Sequence, residues 1–380
     1  VVTMNLSSGT LLGLNATLAT DNVKLTTSST NLTSPGLANR TINSLLLSGS
    51  VDLGFATSGG MNLVVTSGNI LATGGSSSIG SAAYVATGAS PLLSTNTTEA
   101  AFLVDSGASL TLNASLVGTA ALNKGLGGNL ILAAPQYTNL STNYMTINGG
   151  TVTLAAGTNT LYPIAGNDQR LVIAPGATLD LNGNSQMVGL LRSPNAVTLP
   201  NSGGVIRSTA AATFVTASNY ADSFGGQIEG ALSFNKAGTN TLTLSNNQPY
   251  TGSTFISGGQ MTLRDNAALS ATSAIDVNYA TLQLENSGAS SLSALGDRLR
   301  DSAPLTLRGA AFTLVGRDNA NVVEVVDNMT LGAGLNFFTI TNGGAGIRST
   351  ELRIGTLAVQ NDATMYFTGA NGQVGSTSRM

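Results

Sequence analysis

The side chains that most often carry catalysis are missing from this sequence. Its 380 residues include no histidine, no cysteine and no tryptophan. Ser-His-Asp and Cys-His nucleophilic pairs, structural zinc sites and the usual proton shuttle at neutral pH are thereby removed. Carboxylate chemistry is what remains. Two carboxyl groups roughly 5–10 Å apart can cleave a glycosidic bond. Only 18 acidic residues are spread along the chain. The tightest groupings are Asp297 with Asp301 and Glu324 with Asp327. Arg298 and Arg300 interleave the first, a pattern that predicts a solvated corner with two ion pairs. In Val322-Val323-Glu324-Val325-Val326-Asp327, alternation sets Glu324 opposite its valine neighbours and toward solvent. The calcium-binding Gly-Gly-x-Gly-x-Asp nonapeptide is absent. The corners Arg264-Asp265-Asn266 and Arg317-Asp318-Asn319 offer one carboxylate each, as turn residues do. Gly125-Leu126-Gly127-Gly128 lacks the Gly-Lys-Ser/Thr ending of a phosphate loop. The expectation is a protein with no catalytic residue, no metal and no cofactor, and not an enzyme.

Two lysines recur in phase. Leu122-Asn123-Lys124 leads through a glycine turn to the strand-like Asn129-Leu130-Ile131-Leu132. Phe234-Asn235-Lys236 leads with the same spacing to Thr241-Leu242-Thr243-Leu244. Each copy continues to a tyrosine and threonine, Tyr137-Thr138 and Tyr250-Thr251, then to a double glycine and a further strand. Those strands are Gly149-Gly150-Thr151-Val152-Thr153-Leu154 and Gly258-Gly259-Gln260-Met261-Thr262-Leu263. A corner lysine can bond free carbonyls or cover an apolar edge with its stem. Tyr137 and Tyr250 have the same two options, sealing a corner against the core or offering a ring to a sugar. The repeat landmarks Lys124, Tyr137, Gly149, Gly150, Lys236, Tyr250, Gly258 and Gly259 are assigned structural roles.

The elements that must position these residues are short. Apolar and polar residues alternate over runs of three to five, as in Ser109-Leu110-Thr111-Leu112, Thr178-Leu179-Asp180-Leu181 and Thr281-Leu282-Gln283-Leu284. A four-residue strand buries little alone. Stacked on copies of itself it adds one apolar layer to a continuous core. Gly and Asn between the runs tolerate the left-handed backbone that tight corners require. The spacing of Leu292, Leu295 and Leu299 also allows a short helical turn over 289–301. The fold expected is all-β, a single right-handed parallel β-helix, or β-solenoid, with short strands and variable corner loops. Residues 1–40 would form polar rungs or an extended arm. Residues 41–380 would form the continuous parallel β-helix, with repeat copies near 122–154 and 232–263.

The order of apolar-x-Lys, glycine turn, leucine strand, Tyr-Thr-Gly and Gly-Gly strand resembles the autotransporter-associated β-strand repeat. Residues 232–263 match best, including Tyr250-Thr251-Gly252. Residues 122–154 are a looser copy, because Asn139 follows Tyr137-Thr138. The resemblance implies a passenger-like parallel β-helix from a large exported bacterial surface protein.

Composition narrows the partners. Charged residues make up 9% of the chain and hydrophobic residues 42%, with a net charge of −3. The usual charged share is about 25%. No basic stripe exists to neutralise phosphates, so nucleic acid is not expected as a partner. No apolar run of about 18 residues marks a membrane-spanning segment. The absence of a basic, apolar leader suggests a trimmed piece of a longer precursor. Function is expected to be extracellular or at the bacterial cell surface. The leading expectation is a building unit of a surface filament, sheath or layer, self-associating through open ends or faces. The alternative is a passenger or stalk of an adhesin that binds glycans or cells. A polysaccharide-active enzyme ranks below both.

Overall fold

Short alternating segments of this chain stack on one another in parallel, as their length requires. The computed structural model describes residues 2–4, 19–32, 40–55, 62–80, 92–95, 99–118, 121–138, 144–163, 169–195, 198–217, 219–287, 296–317, 320–342, 349–369 and 378–379. Among these residues the secondary structure is all strand and turn, with no helix. Among the described residues no helix is long and apolar enough to cross a membrane. The chain divides into two units, Val1–Val188 and Gly189–Met380, and each is a parallel β-solenoid.

In the first unit the described strands fall into three parallel sheets. One turn of the solenoid contributes Glu99–Val104, Ser109–Leu112 and Ser115–Gly118, one strand to each. The next turn begins at Ala121–Gly125, which lies beside Glu99–Val104 in register. Phe102 stands opposite Lys124, and Lys124 opposite Ile147. These two turns advance the chain by 22 and 23 residues. Inward positions form columns of like residues, such as Leu110, Leu130, Val152 and Leu179, all fully buried. Burying each such side chain contributes about 1.5–3 kcal/mol, which is how strands of four residues become stable together. Within residues 1–40, Asn22–Leu25 pairs in parallel with Ser44–Ser48.

The second unit has two parallel sheets of the same kind among its described residues. One runs from Val205–Ala217 and Gln227–Ala237 through Thr254–Ile256, Ile275–Asn278 and Leu305–Arg308 to Val322–Ala333 and Thr350–Val359. The other runs from Asp222–Phe224 and Thr241–Leu244 to Leu335–Thr341 and Thr364–Gly369. Leu242, Met261, Leu282, Phe312 and Phe338 make one buried column. Outward positions carry hydroxyl and amide ladders in both units, for example Ser109 on Ser76 at 3.0 Å and Gln260 on Gln283 at 2.7 Å.

Of the helical turn expected over 289–301, residues 289–295 lie outside the described residues. Residues 296–301 are not helical, and Leu299 instead forms a parallel bridge with Leu269. Residues 318 and 319 of the Arg317 corner also lie outside the described residues.

Candidate functional site

The two in-phase lysines sit inside the solenoid, in columns that are mostly apolar. Lys124 occupies the column of Leu45, Ile70, Phe102, Ile147 and Ile173. Lys236 stands between Thr216 and Ile256 in a column that continues to Val277 and Leu307. Their side chains are 0% and 2% exposed. An ammonium group there needs acceptors from every direction it points. Lys124 Nζ donates to the carbonyls of Gly125 at 2.8 Å, Leu126 at 2.9 Å and Gly149 at 3.1 Å. Lys236 Nζ donates to the carbonyls of Gly238 at 3.1 Å, Gly258 at 2.9 Å and Asn240. In both copies one acceptor is the first glycine of the pair on the following turn. Burial pushes each ammonium down to about 8, and the nearby Asp222 carboxylate opposes this at Lys236.

The second glycine of each pair explains itself in the same geometry. Gly150 and Gly259 adopt φ of +64° and +58°. A Cβ would lie 2.2 Å from Gly128 O at the first and 2.4 Å from Asn240 O at the second. The pair therefore closes a backbone-on-backbone corner over the lysine cage. This arrangement locks adjacent turns together.

Three buried glutamines perform a related task, and sequence inspection overlooked them. Gln136 Oε1 accepts from Leu116 N at 3.0 Å, and its Nε2 donates to Ala114 O and Ala134 O. Gln186 repeats this toward Leu161 N, Leu161 O and Met187 O. Gln248 does the same toward Ile228 N, Gly226 O and Asn246 O. Each amide replaces a missing stretch of ladder between turns. A signal was available, because Gln136 and Gln248 each follow a landmark lysine by twelve residues.

The tyrosines of the two copies do not share an environment, which corrects the expectation that both seal a corner. Tyr250 is fully buried and its hydroxyl lies 2.5 Å from Thr254 Oγ1. Burial pushes that phenol well above its usual range. Tyr137 is 41% exposed. The cause is a slip of one position. Tyr137 directly follows Gln136, whereas Pro249 separates Tyr250 from Gln248. A one-residue shift along extended chain moves a side chain to the other face. On the next turn Tyr162 is 48% exposed, and its ring centroid lies 5.2 Å from that of Tyr137 at an interplanar angle of 54°.

The acidic corner also differs from its expectation. Arg298 is not a solvated ion-pair partner but is fully buried. Its guanidinium donates to Asn286 Oδ1, Ala267 O and Glu285 O at 2.7–3.0 Å. Glu324 is likewise fully buried, because it shares the inward face of its strand with Val322 and Val326 while Val323 and Val325 point outward. Its carboxylate accepts from Arg298 N at 3.1 Å and Leu299 N at 2.8 Å. Burial raises it to about 7, with Asp297 adding to the shift and the two N–H groups and Arg298 opposing it. Asp297 and Asp301 line a half-open cleft with Ser270, Arg300, Ser302 and Asp327. Desolvation, the charge of Asp297 and a hydrogen bond between the two carboxyl groups raise Asp301. At the Arg264 corner, Asp265 is 1% exposed, has φ of +55° and pairs with Arg264 at 3.0 Å. No cluster of three or more metal-ligating side chains occurs among the described residues.

One comparison connects this fold to a known protein. Over 228 residues the chain is 28% identical to the adhesin BmaC autotransporter of Brucella suis biovar 1 (strain 1330). That match takes in 57% of this chain and 6% of the adhesin, so the chain spans a small part of that protein's length. No protein-family model matches the chain, and no solved structure matches it. The fold and this similarity together define a β-solenoid like the passenger of an autotransporter.

Proposed function

We propose that this chain is a passenger segment of an autotransporter-like adhesin, a non-catalytic β-solenoid held outside the cell that binds glycans or cell surfaces. The similarity to an autotransporter adhesin is the observation that carries this proposal. The physical character of the molecule supports it. Its buried cations and amides serve turn-to-turn cohesion, and its outward positions carry hydroxyl and amide ladders in a chain with 9% charged residues. Beads coated with the purified chain are expected to bind cultured animal cells saturably, in competition with soluble chain. Binding no greater than that of beads coated with an unrelated protein would reject the adhesin function. Incubation with acidic and neutral polysaccharides is expected to release no reducing ends or unsaturated products. Turnover abolished by Asp301→Asn would reject the non-catalytic part of the proposal.

Self-association is a second reading, and one patch favours it. Leu335, Phe337, Leu357, Val359, Tyr366 and Phe367 are each 36–58% exposed near the strand Thr364–Gly369. Among the described residues Thr364–Gly369 pairs on one side alone, with Leu335–Thr341, and a strand edge with apolar neighbours can pair with another copy. Sedimentation across a range of concentrations tests this. Association that Leu357→Lys with Val359→Lys abolishes would support it, and a monomer at every concentration would exclude it.

A further inference from the structure

We propose that Tyr137 and Tyr162 form a binding platform for an uncharged pyranose glycan, a proposal that rests on the adhesin function for its purpose but not for its chemistry. The two rings stand on adjacent turns of the first unit, joined through the parallel bridge between Gln136 and Leu161. Both are close to half exposed, at 41% and 48%. Met187 follows them on the next turn, 38% exposed, and Val117 precedes them in register with Tyr137. This outward column carries no charged side chain from Ser94 through Val117, Tyr137 and Tyr162 to Met187. Aromatic faces in an uncharged setting of hydroxyls and amides complement the C–H face of a sugar and the hydroxyls around it.

The backbone beneath the rings is held unusually firmly. Gln136 and Gln186 bracket it from either side with buried amides. A third buried amide, Gln169, ties the two tyrosine strands directly together. Its Nε2 donates to Thr138 O at 3.0 Å and to Tyr162 O at 2.6 Å. Gln169 is 2% exposed, adopts φ of +37°, and its Oε1 has no hydrogen-bond partner among the described residues. A non-glycine residue in the left-handed region with an unsatisfied buried oxygen is costly, and such strain concentrates where geometry is held for function. What it holds here is the relative position of two exposed rings. Side chains fixed in advance lose little freedom when a ligand arrives. The tilt of 54° makes a shallow V rather than a flat apolar face. Two rings are also far too little area for a stable protein interface, which buries about 800 Å² on each partner. A short stretch of sugar chain spanning adjacent turns fits better than a second copy of the protein.

The chain contains 8 tyrosines and no tryptophan, so its intrinsic emission reports on tyrosine without interference. The full chain would be titrated with short oligomers of β1,4-linked glucose, β1,4-linked N-acetylglucosamine and α-linked mannose. Emission and calorimetry would be read in parallel. At least one probe is expected to bind saturably. Tyr137→Ala with Tyr162→Ala should weaken that probe about tenfold or more, the loss of one well-packed contact or more. Tyr137→Phe with Tyr162→Phe keeps both rings and should stay within about threefold. Tyr279→Ala, at a residue 76% exposed in the other unit, should have no effect. The platform is overturned if no probe binds, if the double alanine variant binds as the parent does, or if the tyrosines instead mediate dimerisation. The bead assay separates this from the wider function. Cell binding and sugar binding both retained by the double alanine variant refute the platform and leave the adhesin. Sugar binding at the tyrosines without cell binding does the reverse.

Discussion

Lys124 and Lys236 show how a single side chain can hold a corner whose backbone has no partner of its own. Each satisfies three carbonyls drawn from two turns. Lys236→Met keeps the stem, removes the donor and leaves those oxygens buried. Unsatisfied buried acceptors cost about 1–3 kcal/mol each before relaxation, so a loss of several kcal/mol in urea unfolding is expected. A loss no larger than that of an exposed lysine variant would refute the cage. Glu324 supplies a pH-dependent counterpart. Its folded value of about 7 lies above the usual 4.5, so the folded protein holds this proton more tightly than the unfolded chain. Its contribution is fully present below about pH 4.5 and is lost as pH rises through about 7, a change of order 3 kcal/mol. Glu324→Gln should remove that slope, read as the difference in unfolding midpoint between about pH 5 and about pH 8. A slope identical to the parent's would place the titration elsewhere. The recurrence of the lysines was legible in the sequence, and so was the possibility that they bond carbonyls. The burial of Glu324 was not. The segment 322–327, with valine at four of its six positions, gives two faces of equal hydrophobicity, and alternation then cannot say which one points inward.

Strands and corners carry the next level of organisation. Apolar alternation located the strands because a solenoid strand must bury one face and wet the other. Corner geometry was harder to read, since it depends on single-residue phase. Tyr137 and Tyr250 occupy matching places in the repeat and yet face opposite ways, through one proline between Gln248 and Tyr250. The glutamines were the better landmark. Gln136 and Gln248 keep a fixed distance from the lysines because both are bound to the same inner framework. Gln248→Met should leave Ile228 N–H without its acceptor, so that amide should exchange with solvent at least tenfold faster than in the parent. Amides in the strand Thr281–Glu285 should keep their protection. Unchanged exchange at Ile228 would show that Gln248 does not substitute for the ladder. Gly259→Ala combines a left-handed φ with a Cβ driven against Asn240 O. It should be among the most damaging single substitutions in the second unit, by about 2–4 kcal/mol in the same unfolding assay.

Across the whole molecule, two parallel solenoid units are built from a chain with 9% charged residues and no histidine or cysteine. That composition made the stacked architecture legible, since few other folds use so many short uncharged strands. Function was less legible. The platform tyrosines look like any others in the sequence, because Tyr162 has no counterpart in the recognised repeat and Gln169 reaches them only through the fold. The filament expectation came from the possibility of open ends, whereas the similarity to an autotransporter adhesin favours a surface that binds something foreign. Saturable binding of the purified chain to animal cells, with soluble chain as competitor, tests that claim most directly. The account predicts saturable, competable binding that weakens when Tyr137 and Tyr162 are both replaced by alanine. Binding indistinguishable from that of an unrelated protein would contradict it.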